Sequence, residues 1–468
     1  MKQAFTSKDL GMWVIVSSFL ITCSHIQAQD GQWLGRIPYP DITYRMVLEN
    51  KFSRPHLFNV TFKRYEVPME KMFFRDDSIY FRFAEFFTEF GGKYDRNKNT
   101  ITGTWVTEDK VRIPVTFEQV RGDTVLGMNP RTSKAYNYSP PKQLEDQWPV
   151  STIERQSIDR ILIDSLTYAI INEKYPDVHS LLIARNNSLV YEEYFYTYNS
   201  QFRQNIQSVT KSFVSALVGI ALAKGEIKNI NDPLCGYLKN YKKLVCNNQN
   251  KSITLDHVLS MSTGIEWDEA TYDYGDPRNN LSYRGDPFKH LFSRKRLPQR
   301  DFAYNSLNHS TMNAVLKTAT HLDNSTEITS RLLVPLGISS YYLGKEEHGV
   351  LGDIELTPRD MMKLGELYLQ KGKWNGREIV PHSWVNESTS TKVAARPGLG
   401  YGYFWWTRDF NWKGKIVRSF FAWGYGGQYI FVVPDLQLVV TLTGNHWTTD
   451  PKNHVMEMME SYIIPSCR

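Results

Sequence analysis

The chain has 468 residues, of which 41% are hydrophobic and 13% aromatic, a composition that excludes an intrinsically disordered protein and allows a large core in about two to three domains. The formal net charge of +6 comes from 55 basic and 49 acidic residues spread along the chain. Because no long basic run is present that could follow a phosphate backbone, the sequence does not favour nucleic-acid binding.

The first 28 residues have the pattern of a secretory signal peptide. Lysines precede a short apolar stretch over residues 11–22, and the segment ends at Ala28. A span across a bilayer needs about 20 apolar residues, so we predict export with cleavage after Ala28. Cys23 allows a second interpretation, in which a lipid attached to this cysteine tethers the protein. No later segment is long and apolar enough to predict a transmembrane span once the signal is removed.

Residues 30–122 predict a small all-β domain. Apolar and polar residues alternate, with turn-forming residues between the segments, over 78–83, 100–105 and 111–117. The pattern predicts an antiparallel sheet that could close into a barrel. Two Gly-x-Trp patterns, at Trp33 and Trp105, resemble those of lipocalin-like barrels found beside secreted bacterial hydrolases. A structural role without a ligand is the favoured interpretation of this domain.

Residues 123–152 are polar and proline-rich, which predicts a linker before a second domain over residues 153–468. Strands are predicted there at 180–185, 189–195, 429–433 and 438–442. Helices are predicted at 153–173, 212–225, 255–260, 311–321, from Thr357-Pro358 onward, and 454–464. Strands at both ends with helices between them predict an α+β domain, in which helices cover one antiparallel sheet.

The tetrad Ser208-Val209-Thr210-Lys211 opens the helix that is apolar on nearly every side. Residues three apart on a helix share a face, so the Ser208 hydroxyl and the Lys211 amine can meet one turn apart as nucleophile and base. Burial and the positive end of the helix dipole disfavour the lysine charge, and a neutral amine can take the serine proton.

A plainer interpretation of the same tetrad stays open. Ser208 could cap the helix and Lys211 could be a solvated side chain, since a chain of this length should hold about two such tetrads by chance. Against this, a lysine without a function is poorly placed in the most buried-looking helix of the sequence. Spacing and burial alone do not decide between the two.

The cysteines and histidines predict no metal site. Cys235 and Cys246 flank a short loop and could form a disulfide in an oxidising compartment, or remain two unpaired thiols. The histidines are scattered, His309 and His321 among them, and no Cys or His cluster has the spacing of metal ligands. We therefore expect neither a metal nor an organic cofactor.

Two further motifs follow the tetrad along the chain. Tyr304-Asn305-Ser306 precedes a predicted helix, and Ala422-Trp423-Gly424 leads into a glycine-rich turn. In this order the three motifs resemble those of the serine β-lactamase and penicillin-binding protein superfamily, nearest to class C β-lactamases, esterases and aminohexanoate-oligomer hydrolases. The resemblance extends over residues 178–464. Four further segments resemble family signatures: 261–265, 357–360, 372–376 and 402–406.

The resemblance implies a role for three side chains. Ser208 would attack an acyl carbonyl, Lys211 would hold and deprotonate it, and Tyr304 would act as general base or proton shuttle for acylation and for the deacylating water. A neighbouring lysine cation makes a tyrosine more usable as a base at neutral pH. Tyr304 would otherwise be one of 27 tyrosines packed in a core.

The resemblance also implies a substrate-binding edge. The oxyanion hole would consist of the backbone amides of Ser208 and Tyr425. Gly424 and Gly426, with Gly427, would let the substrate lie against an edge strand, although these glycines could equally form a turn. The remaining candidates for substrate contact are Ser306 and Trp423.

The motifs depart from the family pattern at two positions. Ser306 stands where class C β-lactamases carry Asn, and Ala422 replaces a Lys or His that faces the substrate carboxylate. The missing cation argues against β-lactams and peptidoglycan stems as preferred substrates. Four tryptophans suggest an aromatic-walled cleft for a less charged acyl group, although each singly could be a core residue: Trp267, Trp405, Trp406 and Trp423.

The sequence therefore predicts an exported serine hydrolase that cleaves a small-molecule ester or amide through a Ser208 acyl-enzyme. One alternative is a β-lactamase or D-alanyl carboxypeptidase. Another is a binding protein of the same fold that has lost turnover. The presence of Ser208, Lys211 and Tyr304 argues against that loss.

Overall fold

A computed structural model describes most of the chain. The described ranges are 31–38, 43–51, 54–59, 64–66, 69–75, 77–83, 88–107, 110–120, 136–172, 174–175, 178–195, 198–269, 286–344, 354–444 and 451–468. The predicted signal peptide, including Cys23, lies outside them. Within these ranges the buried hydrophobic side chains form two separate cores, one in each predicted domain.

The first core belongs to a nine-stranded antiparallel sheet. Its strands are β1 Gly31–Pro38, β2 Thr43–Lys51, β3 Arg54–Asn59, β4 Arg64–Glu66, β5 Met69–Arg75, β6 Ser78–Phe83, β7 Glu89–Asp95, β8 Thr100–Val106 and β9 Arg112–Val120. The strand order is β4-β3-β2-β1-β9-β8-β7-β6-β5. The predicted all-β region is confirmed, and the three predicted strands correspond to β6, β8 and β9. The closed, lipocalin-like barrel stays a prediction.

Aromatic rings pack on one face of this sheet where glycines leave room. A Cβ atom on Gly35 would lie 2.6 Å from the ring of Phe117. Phe90 stacks on Phe81 at 4.9 Å between ring centres and meets Phe117 edge-on at 5.2 Å. Alternation along the strands places these rings on one face, which explains why the period of two predicted the sheet.

Residues 136–152 of the predicted linker pack against the second domain. The Trp148 side chain is buried in that domain's core, and Val150 forms a parallel bridge with Leu189. The Arg359 guanidinium forms ion pairs with Asp146, at 2.8 Å, and with Glu192. This part of the segment is therefore a strap over the second domain.

The second domain is built on an eight-stranded antiparallel sheet of order β11-β10-β22-β21-β20-β19-β18-β17. Its strands, in chain order, are β10 Val178–Arg185, β11 Ser188–Tyr194, β17 Val393–Arg396, β18 Leu399–Tyr401, β19 Trp406–Trp412, β20 Lys415–Gly424, β21 Gln428–Val433 and β22 Leu438–Gly444. Short strands outside this sheet are β12 Gln204–Asn205, β13 Tyr341–Leu343, β14 Ile354–Leu356, β15 Lys373–Trp374 and β16 Arg377–Glu378.

Helices cover the large sheet. They are α1 Arg160–Ile171, α2 Thr210–Ala223, α3 Lys242–Val245, α4 Leu255–Leu259, α5 Pro287–Phe292, α6 Leu307–Thr320, α7 Asn324–Ile328, α8 Pro358–Leu369, α9 His382–Ser388, α10 Pro451–Met458 and α11 Ile464–Ser466. Helix α8 lies directly on the sheet, since a Cβ on Gly365 would be 2.6 Å from Ile430 and 2.7 Å from Val439. The α+β prediction is confirmed.

Three predicted helices differ at their ends. The helix predicted over 153–173 starts at Arg160, because Asp159 caps it and Ser157, at φ 55°, is left-handed. The helix predicted from 311 begins four residues earlier, at Leu307. The last predicted helix changes to π-helical geometry over Met459–Ile463. No helix in the described ranges combines the length and apolar character that a bilayer crossing needs.

Candidate active site

Ser208 lies in a tight turn that leads into helix α2. The preceding residue, Gln207, has a φ of 51°, and its N–H donates to Asn205 Oδ1 at 2.8 Å. Ser208 is part of the 3₁₀ turn Gln207–Val209, and α2 begins at Thr210. A left-handed glutamine is uncommon, and such backbone conformations cluster at functional sites.

Lys211 is buried on the first turn of α2, with 5% of its surface exposed. Its Nζ donates to Ser208 Oγ at 3.0 Å. The three-residue spacing thus places the amine and the hydroxyl in contact, as predicted from the helical period.

Two serines of α2 fix the helix against the segment 402–406. Ser212 Oγ donates to the Phe404 carbonyl and Ser215 Oγ to the Tyr403 carbonyl, both at 2.7 Å. Phe404 is left-handed, with φ 61°, and its N–H donates to the Leu259 carbonyl at 3.1 Å. The buried serines of α2 therefore hold the chain just before β19, which begins at Trp406.

Tyr304 completes the group of three. Its ring centre lies 5.0 Å from Lys211 Nζ, within cation–π range. The ring stacks on Trp406 at 5.9 Å and meets Tyr401 edge-on at 6.4 Å between centres. The structure thus brings Ser208, Lys211 and Tyr304 together, although Tyr304 is 93 positions from Lys211 along the chain.

The loop that carries Tyr304 is held by the Met261–Ile265 segment. The Ala303 N–H donates to the Met261 carbonyl at 2.9 Å. Asn308 Nδ2 donates to the Val258 carbonyl at 3.0 Å and contacts Met261 Sδ. Met261 itself is left-handed, with φ 57°. The segment Met261–Ile265 therefore positions the loop that carries Tyr304.

Ser306 contacts a carboxylate that the sequence analysis missed. Its hydroxyl donates to Glu269 Oε1, and its backbone N–H donates to Glu269 Oε2 at 3.1 Å. Trp267 Nε1 also donates to Glu269 Oε2, at 2.7 Å. A glutamate 37 positions away from Ser306 gives no local sequence signal of this contact.

Strand β20 approaches Ser208 through its last residue. A Cβ on Gly424 would lie 2.6 Å from the Ile206 carbonyl, so only glycine allows this packing. The predicted edge strand is wrong as stated, since β20 lies inside the sheet between β19 and β21. Pairing with β19 ends at Phe421, however, so residues 422–424 extend beyond it.

The turn after β20 combines exposure with glycine geometry. Tyr425 is 51% exposed, while Gly426 and Gly427 have φ values of 78° and 98°. Positive φ of this kind favours glycine, and the two residues connect β20 to β21. The turn interpretation of Gly426 and Gly427 therefore fits the structure.

The four predicted cleft tryptophans separate into two groups. Trp406 lies between Tyr304 and Trp423, with 5.2 Å between the two indole centres. Trp267 lies next to Glu269. Trp405, in contrast, is fully buried and packs on Tyr368 at 4.6 Å, so its assignment to the cleft is wrong. Trp406 and Trp267 are also buried, with 4% and 9% of their surface exposed, and Trp423 is half-buried. Successive residues of an extended segment point to opposite sides, which separates Trp405 from Trp406.

His309, one of the scattered histidines, has Lys211 as an electrostatic neighbour. Burial and the nearby Lys211 lower the pKa of His309 to about 3. Its ring contacts Asn313 Nδ2 at 3.1 Å. The imidazole is therefore neutral at ordinary pH and adds no charge beside the lysine. His309 follows Ser306 by three residues, but its proximity to Lys211 depends on how α6 packs on α2.

Cys235 and Cys246 form a disulfide, which decides between the two states left open by the sequence. Cys467 is a buried free thiol. Among the described residues, no group of three His, Cys, Asp or Glu side chains is placed to hold a metal ion.

Comparisons with known proteins identify the family. The family model for Beta-lactamase matches residues 179–458, which is more than half of the chain. The chain therefore belongs to the beta-lactamase family, whose members are hydrolases. It is 23% identical over 287 residues to an uncharacterized protein of Alkalihalophilus pseudofirmus, covering 57% of this chain and 83% of that one. It is 26% identical over 140 residues to Protein flp of Staphylococcus aureus, of which it spans only 26%.

Solved structures share the fold. One from Bacillus anthracis, provisionally described as a 6-aminohexanoate-dimer hydrolase, has a TM-score of 0.52 at 21% identity, covering 70% of this chain and 87% of that one. EstCE1, described as a hydrolase with promiscuous acyltransferase activity, has a TM-score of 0.52 at 15% identity, covering 66% and 100%. These likenesses support the fold of the second domain.

Proposed function

We propose that the protein cleaves a carboxylic ester or amide bond through an acyl-enzyme on Ser208. One observation carries the proposal: the buried Lys211 amine lies 3.0 Å from Ser208 Oγ at the mouth of α2. Nucleophile and base within hydrogen-bond reach are the signature of covalent acyl transfer.

Acylation starts with removal of the serine proton. When the Lys211 amine is neutral, Ser208 Oγ–H donates to Nζ along the same contact. Oγ then attacks the acyl carbonyl, and Nζ receives the proton. The alcohol or amine leaving group needs a proton as the carbonyl re-forms.

Tyr304 is our candidate for that proton transfer. Its ring stacks on Trp406, which fixes its plane next to Lys211. The phenol can pass a proton to the leaving group and later accept one from the water that hydrolyses the acyl-enzyme. Because both steps use the same tyrosine, its removal should slow acylation and deacylation.

The oxyanion hole in this proposal consists of the backbone amides of Ser208 and Tyr425. Two preorganised N–H groups stabilise the charge that develops on the carbonyl oxygen. The proposal is supported by the close approach of Gly424 to Ile206, which holds the end of β20 against the segment before Ser208.

The lining of the site favours a weakly charged or cationic acyl group over a carboxylate. Ala422 offers no cation, and the half-buried Trp423 ring packs on Trp406, which stacks on Tyr304. Export remains part of the proposal, and the Cys235–Cys246 disulfide fits an oxidising compartment.

Substrate screening tests the proposal. The purified protein is assayed with nitrophenyl esters of short acyl chains and with nitrocefin, alongside Ser208→Ala as the matched inactive variant. We expect ester turnover that Ser208→Ala abolishes and weak or no nitrocefin cleavage. Rapid nitrocefin hydrolysis would overturn the substrate assignment, and ester turnover that persists in Ser208→Ala would overturn the mechanism.

A further inference from the structure

Glu269 is anchored at the loop that carries Tyr304, yet the acyl-transfer mechanism does not use it. Its Oε2 accepts from the Ser306 N–H and from the Trp267 indole, and its Oε1 accepts from the Ser306 hydroxyl. A carboxylate has about four acceptor positions, so these three contacts leave one. Because Glu269 is half-buried, the remaining acceptor position of its carboxylate is not enclosed in the core.

The Glu269 carboxylate and the Tyr304 ring both lie near Tyr401. Asn305, between the two motif residues, is 1% exposed and points inward, with its Oδ1 accepting from the Leu307 N–H at 2.8 Å. Tyr304 and Ser306 are both half-buried and alternate with it. After burial itself, the nearby Tyr304 and Glu269 also raise the pKa of Tyr401.

The Ser306–Glu269 pair presents acceptors only. The Ser306 hydroxyl donates its proton to Glu269, so the Ser306 oxygen can only accept further hydrogen bonds. An asparagine at this position would offer both an N–H donor and an acceptor. The pair therefore matches a ligand group that donates, and most strongly one that is positively charged.

The charge of Glu269 is not offset by its hydrogen-bond partners. Trp267 and Ser306 are both neutral. Among the described residues a cation lies nearby, since the Arg294 guanidinium is 5.5 Å from the centre of the Trp267 ring. A carboxylate on a substrate would still meet the negative charge of Glu269, while an ammonium would gain a charge-assisted hydrogen bond.

We propose that Glu269 and Ser306 form a subsite for an ammonium or other N–H-bearing group of the substrate, which selects amine-bearing esters or amides over carboxylate-bearing ones. The inference rests on the proposed function and names its substrate class. Glu269 acts as a specificity-determining residue and takes no part in the proton transfers at Ser208.

Three nitrophenyl esters of equal chain length test the subsite. Their acyl chains end in an ammonium, a methyl or a carboxylate group. We expect kcat/KM to be about tenfold higher for the ammonium ester than for the methyl ester, and about tenfold lower for the carboxylate ester, as one charge-assisted contact allows. Added salt should compress both ratios, because it screens a partly exposed charge.

Glu269→Gln removes the charge and keeps an acceptor for the Ser306 N–H. In this variant the kcat/KM values of the three esters should lie within about twofold of one another. Glu378→Gln, which removes an exposed carboxylate from β16, is the matched control and should keep the preferences of the unmodified protein.

Several outcomes would overturn the inference. Equal kcat/KM values for the three esters in the unmodified protein would do so, even if Glu269→Gln does not fold. Unchanged ratios in a folded Glu269→Gln would do the same. Fluorophosphonate labelling of Ser208 separates this failure from that of the proposed function. Labelling together with equal turnover of the three esters would contradict only the subsite. Absence of both labelling and turnover would contradict the subsite and the proposed function.

Discussion

The Lys211 amine lies 5.0 Å from the centre of the Tyr304 ring. The same nitrogen donates to Ser208 Oγ, so one buried lysine contacts both other members of the site. Tyr304 reaches this position because Trp406 stacks on its ring and Met261 anchors its loop. The arrangement brings three separate parts of the chain together.

Replacing Lys211 tests its role as the base. Lys211→Ala should lower kcat/KM for a nitrophenyl ester by about 10²–10⁴-fold, the range for loss of a positioned base. Lys211→Arg keeps a charge but cannot accept the proton at working pH, and it should be similarly impaired. Steady-state kinetics measure both, with circular dichroism as the folding control. Near-normal activity in Lys211→Arg would assign the residue a purely electrostatic role.

Tyr304→Phe removes only a hydroxyl. The variant keeps the ring that stacks on Trp406 and the cation–π contact with Lys211, so its free energy of unfolding should change by less than about 1 kcal/mol. We expect kcat to fall by about 10²-fold or more with a smaller change in KM, because the lost group acts in proton transfer. Unchanged kcat would exclude the phenol from the mechanism.

His309 should make stability depend on pH. Its pKa is about 3 in the folded protein, against an ordinary value of 6.5. The unfolded chain therefore binds more protons below pH 6.5, and the stability due to the neutral imidazole is lost as the pH falls from about 6.5 toward 3. His309→Gln should reduce the loss in unfolding free energy between pH 7 and pH 5 by about 1–2 kcal/mol.

Urea unfolding at the two pH values measures this difference. His257 and His290 also have lowered pKa values, but they are present in both proteins and cancel in the comparison. His382→Gln, at an exposed helix position, is the matched control. A pH dependence identical in the unmodified protein and His309→Gln would show that His309 titrates normally.

Arg359 should be a large contributor to stability. It is nearly fully buried, pairs with Asp146 and Glu192, and donates to the Lys142 carbonyl at 2.9 Å. Arg359→Ala leaves two carboxylates without their cation and should lower the unfolding free energy by about 3–5 kcal/mol. Arg377→Ala, at an exposed position, should cost less than about 0.5 kcal/mol. Comparable losses in the two variants would mean that the strap is not held by Arg359.

Sequence patterns predicted the elements that are buried along nearly their whole length. Helix α2 and strands β10, β21 and β22 are nearly buried throughout, and their apolar runs marked them. The helical period indicated that Ser208 and Lys211 could meet, but it left open the alternative of a capping serine and a solvated lysine. Tyr304 was found only through its motif, since its position beside Lys211 depends on tertiary packing.

Other features could not be predicted because they depend on long-range contacts. Glu269 reaches Ser306 through the path of the loop after Ile265, and no spacing rule links the two residues. Trp405 and Trp406 are adjacent, chemically identical and both buried, so only the structure shows that Trp405 packs on Tyr368 and Trp406 on Tyr304. The strap over residues 136–152 was predicted as a linker because prolines are typical both of linkers and of segments packed on a domain surface. The buried ion pair between Arg359 and Glu192 gives no local sequence signal.

The central claim is that Ser208 is a nucleophile activated by Lys211, and covalent labelling tests it most directly. The protein, Ser208→Ala and Lys211→Ala are each incubated with a fluorophosphonate, and intact mass and peptide mapping locate the adduct. We predict one adduct on Ser208 in the unmodified protein, none in Ser208→Ala, and strongly slowed labelling in Lys211→Ala. An adduct on another residue, or none on Ser208 in the folded protein, would contradict the account.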